Sequence, residues 1–126
     1  MVDIDTQINH WVKSGQEDWA VAEKLIAERH VRHGLFFAHL ALEKLLKAHV
    51  CRSTKDLAPK MHNLVRLAEL AALTLDKEKL DLLAEMNQFC LEGRYPAHML
   101  PSTSLEEARA YMQRAERVVQ CLIQQL

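Results

Sequence analysis

The sequence predicts an all-α protein, an up-and-down bundle of four to five helices folded as a single domain over residues 1–126. Three observations carry that reading. Apolar residues recur at steps of three and four along most of the chain, the spacing that places them on one side of a helix. Only three Gly and three Pro occur in 126 residues, too little punctuation for the many turns of a β-fold. Aromatic side chains, which favour strands, make up only 6% of the chain.

The first helix is expected from Ile4 to about Arg29. Ile4, Ile8, Trp11, Val12, Gly15, Trp19, Ala22, Leu25 and Ile26 form its apolar stripe. Asp3 and Asp5 suit its N-terminal turn, where the helix dipole favours negative charge. Gly15 lies inside the stripe. It weakens the helix by about 1 kcal/mol relative to Ala and leaves room for another helix to come close. The stretch His30-Val-Arg-His-Gly34 is expected to be a turn.

The second helix is expected from Leu35 to about Arg52 and is apolar over most of its circumference, which marks a central helix. The apolar residues leave only a narrow polar strip, His39, Glu43 and Lys47, with Lys44 beside it. Ser53 to Met61 is rich in polar residues, holds Pro59 and reads as a loop. A short helix over Asn63 to Leu73 carries Leu64, Leu67, Ala68 and Ala71 on one face. A fourth helix over Leu80 to about Leu91 carries Leu82, Leu83, Met86, Phe89 and Cys90, and Gly93 and Pro96 close it. Ser104-Leu-Glu-Glu107 is a capping box that opens the last helix. There Leu105, Ala108, Met112, Ala115, Val119, Leu122 and Leu126 alternate in steps of three and four, the seam spacing of a bundle or coiled coil.

Size and charge narrow the function classes. A chain of this length removes roughly two-thirds of its unfolded surface from water on folding, so its core needs no disulfide or structural metal. Sixteen Lys+Arg against seventeen Asp+Glu leave a formal charge of −1, which excludes a strongly basic surface that coats DNA. Cys51, Cys90 and Cys121 are odd in number, form no C-x-x-C pair, and are expected to be buried thiols in a reducing cytoplasm. The N-terminal stretch lacks the apolar core of a signal peptide, and no apolar run reaches 18 residues, so no membrane span is expected.

Three segments, taken together and in order, resemble the HEPN domain family. They are Ala38-His-Leu-Ala-Leu-Glu43-Lys44-Leu-Leu-Lys47-Ala48, then Pro59-Lys-Met-His62-Asn63-Leu64, then Arg94-Tyr95-Pro96. The Trp19-Ala-Val-Ala22-Glu23 segment fits as well. The resemblance implies a helical bundle, commonly a homodimer, and often a partner of a minimal nucleotidyltransferase in a toxin–antitoxin-like pair. Some members of the family cleave RNA without a metal, and these carry Arg, four to six residues, then His. This chain has Arg94-Tyr-Pro-Ala-His98, with three residues between. Its Arg-Tyr-Pro form looks more like the branch that binds nucleotides or partner proteins.

The residues themselves point the same way. A guanidinium such as Arg94 holds phosphate through a two-pronged, permanently charged fork. A nearby imidazole such as His98 can move a proton near neutral pH, so Arg94 and His98 are the catalytic candidates should the chain be a nuclease. His39, Glu43 and Lys47 lie at i, i+4 and i+8 along one helix face. Polar groups on a central helix must find partners, so Arg94, Lys44, Lys47, His39 and Glu43 form the candidate nucleotide- or phosphate-binding set, with Arg94 expected against Glu43. His62 is expected to be structural, and the charges of the last helix, Arg109, Arg114 and Arg117 among them, to be a solvated face. No H-E-x-x-H or similar ligand spacing occurs, so no metal and no cofactor is expected.

The resulting expectation is a cytoplasmic homodimeric module that binds a nucleotide or RNA. A metal-independent endoribonuclease using Arg94 and His98 and a ligand-free structural adaptor are the alternatives.

Overall fold

The computed structural model describes residues 3–91 and 102–126. The segment carrying Gly93, Arg94, Tyr95, Pro96 and His98 lies outside the described residues. Five α-helices and one 3-10 turn make up the described chain, and no strand occurs among these residues.

Helix α1 spans Ile4–Ala27 and is capped by Asp3, whose carboxylate accepts the Thr6 N–H at 3.1 Å. Gly15 is buried where α1 crosses α2: a Cβ there would sit 3.1 Å from Leu45 Cγ and 3.3 Å from the Ala41 carbonyl oxygen. The close approach expected of this glycine is therefore realised, and α1 and α2 form the most extensive helix pair in the bundle.

The connection between them is shorter than the sequence implies. Arg29 adopts φ 68° and the His30 N–H reaches back to the Leu25 carbonyl at 2.8 Å, which reverses the chain in three residues. Helix α2 then runs from Val31 to Thr54, so the turn expected over His30 to Gly34 is confined to its first residue. Gly34 belongs to the first turn of α2, where a Cβ would meet Ile26 Cδ1 at 2.5 Å. Its missing side chain serves packing against α1.

Helix α2 is the axis of the fold. Leu35, Ala38, Ala41, Leu42, Leu45, Leu46 and Ala48 are fully buried, as expected of a helix apolar nearly all round. It ends at Lys55, in the left-handed region with φ 56°. Helix α3 spans Leu64–Leu70 behind an Asn63 cap and stops at Ala72, with φ 55°, so it is shorter than expected. Helix α4 spans Lys77–Met86 and begins three residues early because Asp76 caps it, accepting the Lys79 N–H at 2.9 Å. The chain then tightens into a 3-10 turn over Asn87–Leu91.

Helix α5, Leu105–Gln124, opens with the expected capping box between Ser104 and Glu107. Its last turn is fastened to α2. His49 Nε2–H donates to the Leu122 carbonyl at 2.8 Å and Arg52 donates to the Gln125 carbonyl at 3.0 Å. Leu42, Leu45, Leu46, Leu64, Leu67, Leu82, Leu83, Met86, Val118 and Leu122 close a shared core.

Two expectations change at this level. Only Cys51 is fully buried, whereas Cys90 and Cys121 are half-buried, because each lies at the edge of its element's apolar face. Burial pushes the Cys51 thiol above its ordinary pKa. Arg114 is not part of a purely solvated face: it holds Glu85 of α4 through two contacts of 3.0 and 2.5 Å and lies over the Tyr111 ring. No helix among the described residues is long and apolar enough to cross a membrane.

Candidate functional site

Helical spacing brings His39, Glu43 and Lys47 onto one face of α2, and the bundle buries that face. The three are 1%, 5% and 6% exposed, which is costly for polar groups without partners. Glu43 is satisfied on both oxygens. Lys47 Nζ donates to Oε2 at 3.1 Å, and His62 Nδ1–H donates to Oε1 at 2.9 Å. The Lys47 ammonium also lies 5.3 Å from the centre of the Trp11 ring, within range of a cation–π attraction.

His62 reaches Glu43 because its backbone is held from two sides. His39 Nε2–H donates to the His62 carbonyl at 3.1 Å. One residue on, Asn63 caps α3 and accepts from Asn87 Nδ2 at 3.1 Å, while Asn87 Oδ1 accepts the Leu64 N–H at 2.8 Å. The 3-10 turn after α4 thereby clamps the start of α3 against α2.

These bonds assign the tautomers. A carbonyl oxygen only accepts, so the His39 proton is on Nε2, and its Nδ1 is a buried acceptor with no hydrogen-bond partner among the described residues. That Nδ1 sits 3.9 Å from Glu43 Oε1, too far for a hydrogen bond. Burial is the main cause that holds His39 below the ordinary histidine pKa, against the opposing pull of Glu43. The buried ring is neutral at pH 7.

Lys44 is one residue along from Glu43 and points elsewhere. It lies 2.6 Å from Asp18 Oδ2 and 2.8 Å from Ser14 Oγ, both on α1. The structure thus brings His39, Glu43 and Lys47 together and sends Lys44 to the α1 side, while Arg94 and His98 lie outside the described residues. It adds His62, Asn63 and Asn87, which sequence reasoning did not place in the site. The available signal was the cluster's own need for partners: a carboxylate on a central helix requires donors from a neighbouring segment.

The cluster reaches the surface at His62, whose side chain is 53% exposed. There His62, Asn63, Asn87 and Cys90 line an open depression of about 330 Å³. A wider groove of about 540 Å³ runs between α4 and α5, but Arg114 and Glu85 on its walls neutralise each other, and it holds none of the buried polar cluster. Among the described residues no group of three or more His, Cys, Asp or Glu is placed to hold a metal ion.

Comparison with known proteins bears on the fold and the family. The model of the HEPN domain matches residues 8–126. No curated protein matches this chain. The crystal structure of an archaeal HEPN homologue superposes with a TM-score of 0.72 at 14% identity, covering 94% of this chain and 96% of that one. The crystal structure of a protein from Thermus thermophilus superposes with a TM-score of 0.70 at 16% identity, covering 95% of this chain and 98% of that one. At these identities the structural likeness shows a shared fold.

Proposed function

The chain belongs to the HEPN domain family, and from that premise we propose that it is a nucleotide- or RNA-associated binding module whose ligand surface is the depression beside Glu43. The observation that carries this reading is the polar cluster inside the central helix. A buried ion pair contributes little net stability compared with apolar side chains of similar volume. Packing therefore gives no reason for Glu43, Lys47 and His39 to stand where leucines would serve. The cluster leads outward through His62 to a depression at the surface, and Cys90 on its wall stands four residues before Arg94 in the sequence.

Arg94 is the phosphate-holding residue of this proposal, through the paired donors of its guanidinium. His39 and Glu43 position His62, Lys47 neutralises Glu43 behind it, and Lys44 is turned to Asp18 on α1, away from the depression. Arg94→Ala is expected to weaken nucleotide or RNA binding about 10- to 100-fold, the loss of a hydrogen bond to a charged group. Unchanged affinity would refute the assignment. Should wild-type protein cleave RNA in the presence of chelator, and should His98→Ala abolish that cleavage, the endoribonuclease reading with Arg94 and His98 would replace the binding module.

We also infer, on the family resemblance, a homodimer that pairs with a minimal nucleotidyltransferase in a toxin–antitoxin-like arrangement. Light scattering at micromolar concentration is expected to give twice the chain mass. A monomer across that range would rule the homodimer out.

A further inference from the structure

His62 is held so that the chemistry of its outward nitrogen is fixed. Its Nδ1 lies 2.9 Å from a carboxylate oxygen of Glu43, and a carboxylate offers only lone pairs. Nδ1 therefore carries a proton whether the ring is neutral or charged. All of the change on titration falls on Nε2, which is a lone-pair acceptor in the neutral ring and an N–H donor in the imidazolium. Among the described residues Nε2 makes no hydrogen bond, and the half-exposed ring lines the depression. The ring cannot turn away cheaply, because His39 holds its carbonyl and the Asn63–Asn87 pair holds the next residue.

We propose that His62 is a second phosphate-contacting residue of the site, beside Arg94, and takes a nucleotide phosphate only as the imidazolium, so that ligand binding takes up one proton. This rests on the reading of the depression as a phosphate site and names how that site recognises its ligand. Phosphate oxygens are acceptors. The neutral ring presents a lone pair to them, and the charged ring presents a charge-assisted donor.

The surrounding groups support a single titrating contact. From α2, Glu43 and Lys47 face each other as an ion pair, which leaves no net charge behind the ring. His39, also from α2, is buried and neutral. The start of α3 contributes Asn63, and the 3-10 turn contributes Asn87 and the Cys90 thiol. Arg66, further along α3, is paired with Glu69. Of the described side chains lining the depression, only the imidazole can switch between a lone-pair acceptor and a cationic donor at the same nitrogen. The ligand cannot produce the same trend: a phosphomonoester gains charge as pH rises through about 6, and an internal phosphodiester of RNA does not titrate in this range.

The test is calorimetric titration of the whole chain with adenosine 5′-monophosphate and with an RNA tetranucleotide bearing unphosphorylated ends. Each is run at about pH 6 and about pH 8, in two buffers of different ionisation enthalpy. The expected result is affinity at least about tenfold weaker at the higher pH, as loss of a charge-assisted contact implies, with one proton taken up on binding near neutral pH. Uptake with the mononucleotide identifies a free nucleotide as the ligand source, and uptake with the tetranucleotide alone identifies RNA. His62→Gln is expected to bind weakly and equally at both pH values. Wild-type affinity that does not change with pH, or a pH dependence that survives in His62→Gln, would overturn the proposal while leaving the phosphate site standing. Failure of both probes to bind wild-type protein at about pH 6 would overturn the phosphate site itself. The proton count is read on wild-type protein, so it holds even if the variant folds poorly.

Discussion

Glu43 and His62, 19 residues apart in sequence, meet at 2.9 Å between Oε1 and Nδ1, and this contact ties the loop before α3 to the central helix. Its two ends differ in burial, Glu43 being buried and His62 half-exposed, so the two truncations should differ in cost. Glu43→Ala leaves the Lys47 ammonium buried without a counter-charge and is expected to destabilise the fold by about 3–5 kcal/mol. His62→Ala removes one of two donors from a carboxylate that keeps Lys47 and should cost about 1 kcal/mol. A double-mutant cycle by urea unfolding should return a coupling of about 0.5–3 kcal/mol. Strict additivity would mean that the contact contributes nothing.

Acid should weaken the fold through two buried histidines. Burial lowers the pKa of both His39 and His49 below the ordinary value of 6.5. Between the lowered and the ordinary values, the unfolded chain binds more protons than the folded one. The stability these two groups contribute is therefore fully present above about pH 6.5 and is lost as pH falls, at up to about 1.4 kcal/mol per pH unit for each ring. Urea midpoints between pH 5 and 7.5 should fall with acid, and His49→Gln should reduce the slope. A slope that is flat below pH 6.5 would contradict the assignment of neutral buried rings.

Gly34 should not tolerate a methyl group. A Cβ there would stand 2.5 Å from Ile26 Cδ1, so Gly34→Ala is expected to cost about 1–3 kcal/mol through overpacking, even though alanine is the better helix former. The double variant Gly34→Ala with Ile26→Val, which trims the opposing side chain, should recover part of that loss. A thermal scan showing Gly34→Ala as stable as wild type would refute the close packing of α1 on α2.

The helices were legible because their signals are local. The three-and-four stripes, the Ser104–Glu107 box and the nearly all-apolar α2 each act within a few residues. Boundaries failed where a local cue was overridden or missed. Gly34 looks like a turn residue but serves packing against Ile26, and the Asp76 cap starts α4 ahead of its first large apolar residue. The site was half legible. Spacing alone aligns His39, Glu43 and Lys47, and their partners had to come from elsewhere in the chain. That His62 is the partner of both His39 and Glu43, with Asn87 holding the start of α3 beside it, depends on how α3 and the 3-10 turn fold back on α2, which no periodicity encodes. Lys44 illustrates the same limit, since one step of about 100° around the helix carries it from the cluster to Asp18 on α1.

The most direct test of the account is a titration of histidine-labelled protein with adenosine 5′-monophosphate and with short RNA, followed by the imidazole resonances in NMR. The account predicts that the His62 ring signals shift in a saturable way, with His39 following through its bond to the His62 carbonyl, while His49, tied to the end of α5, stays in place. Saturable binding that leaves His62 unmoved, or that shifts only residues of the α4–α5 groove, would contradict it.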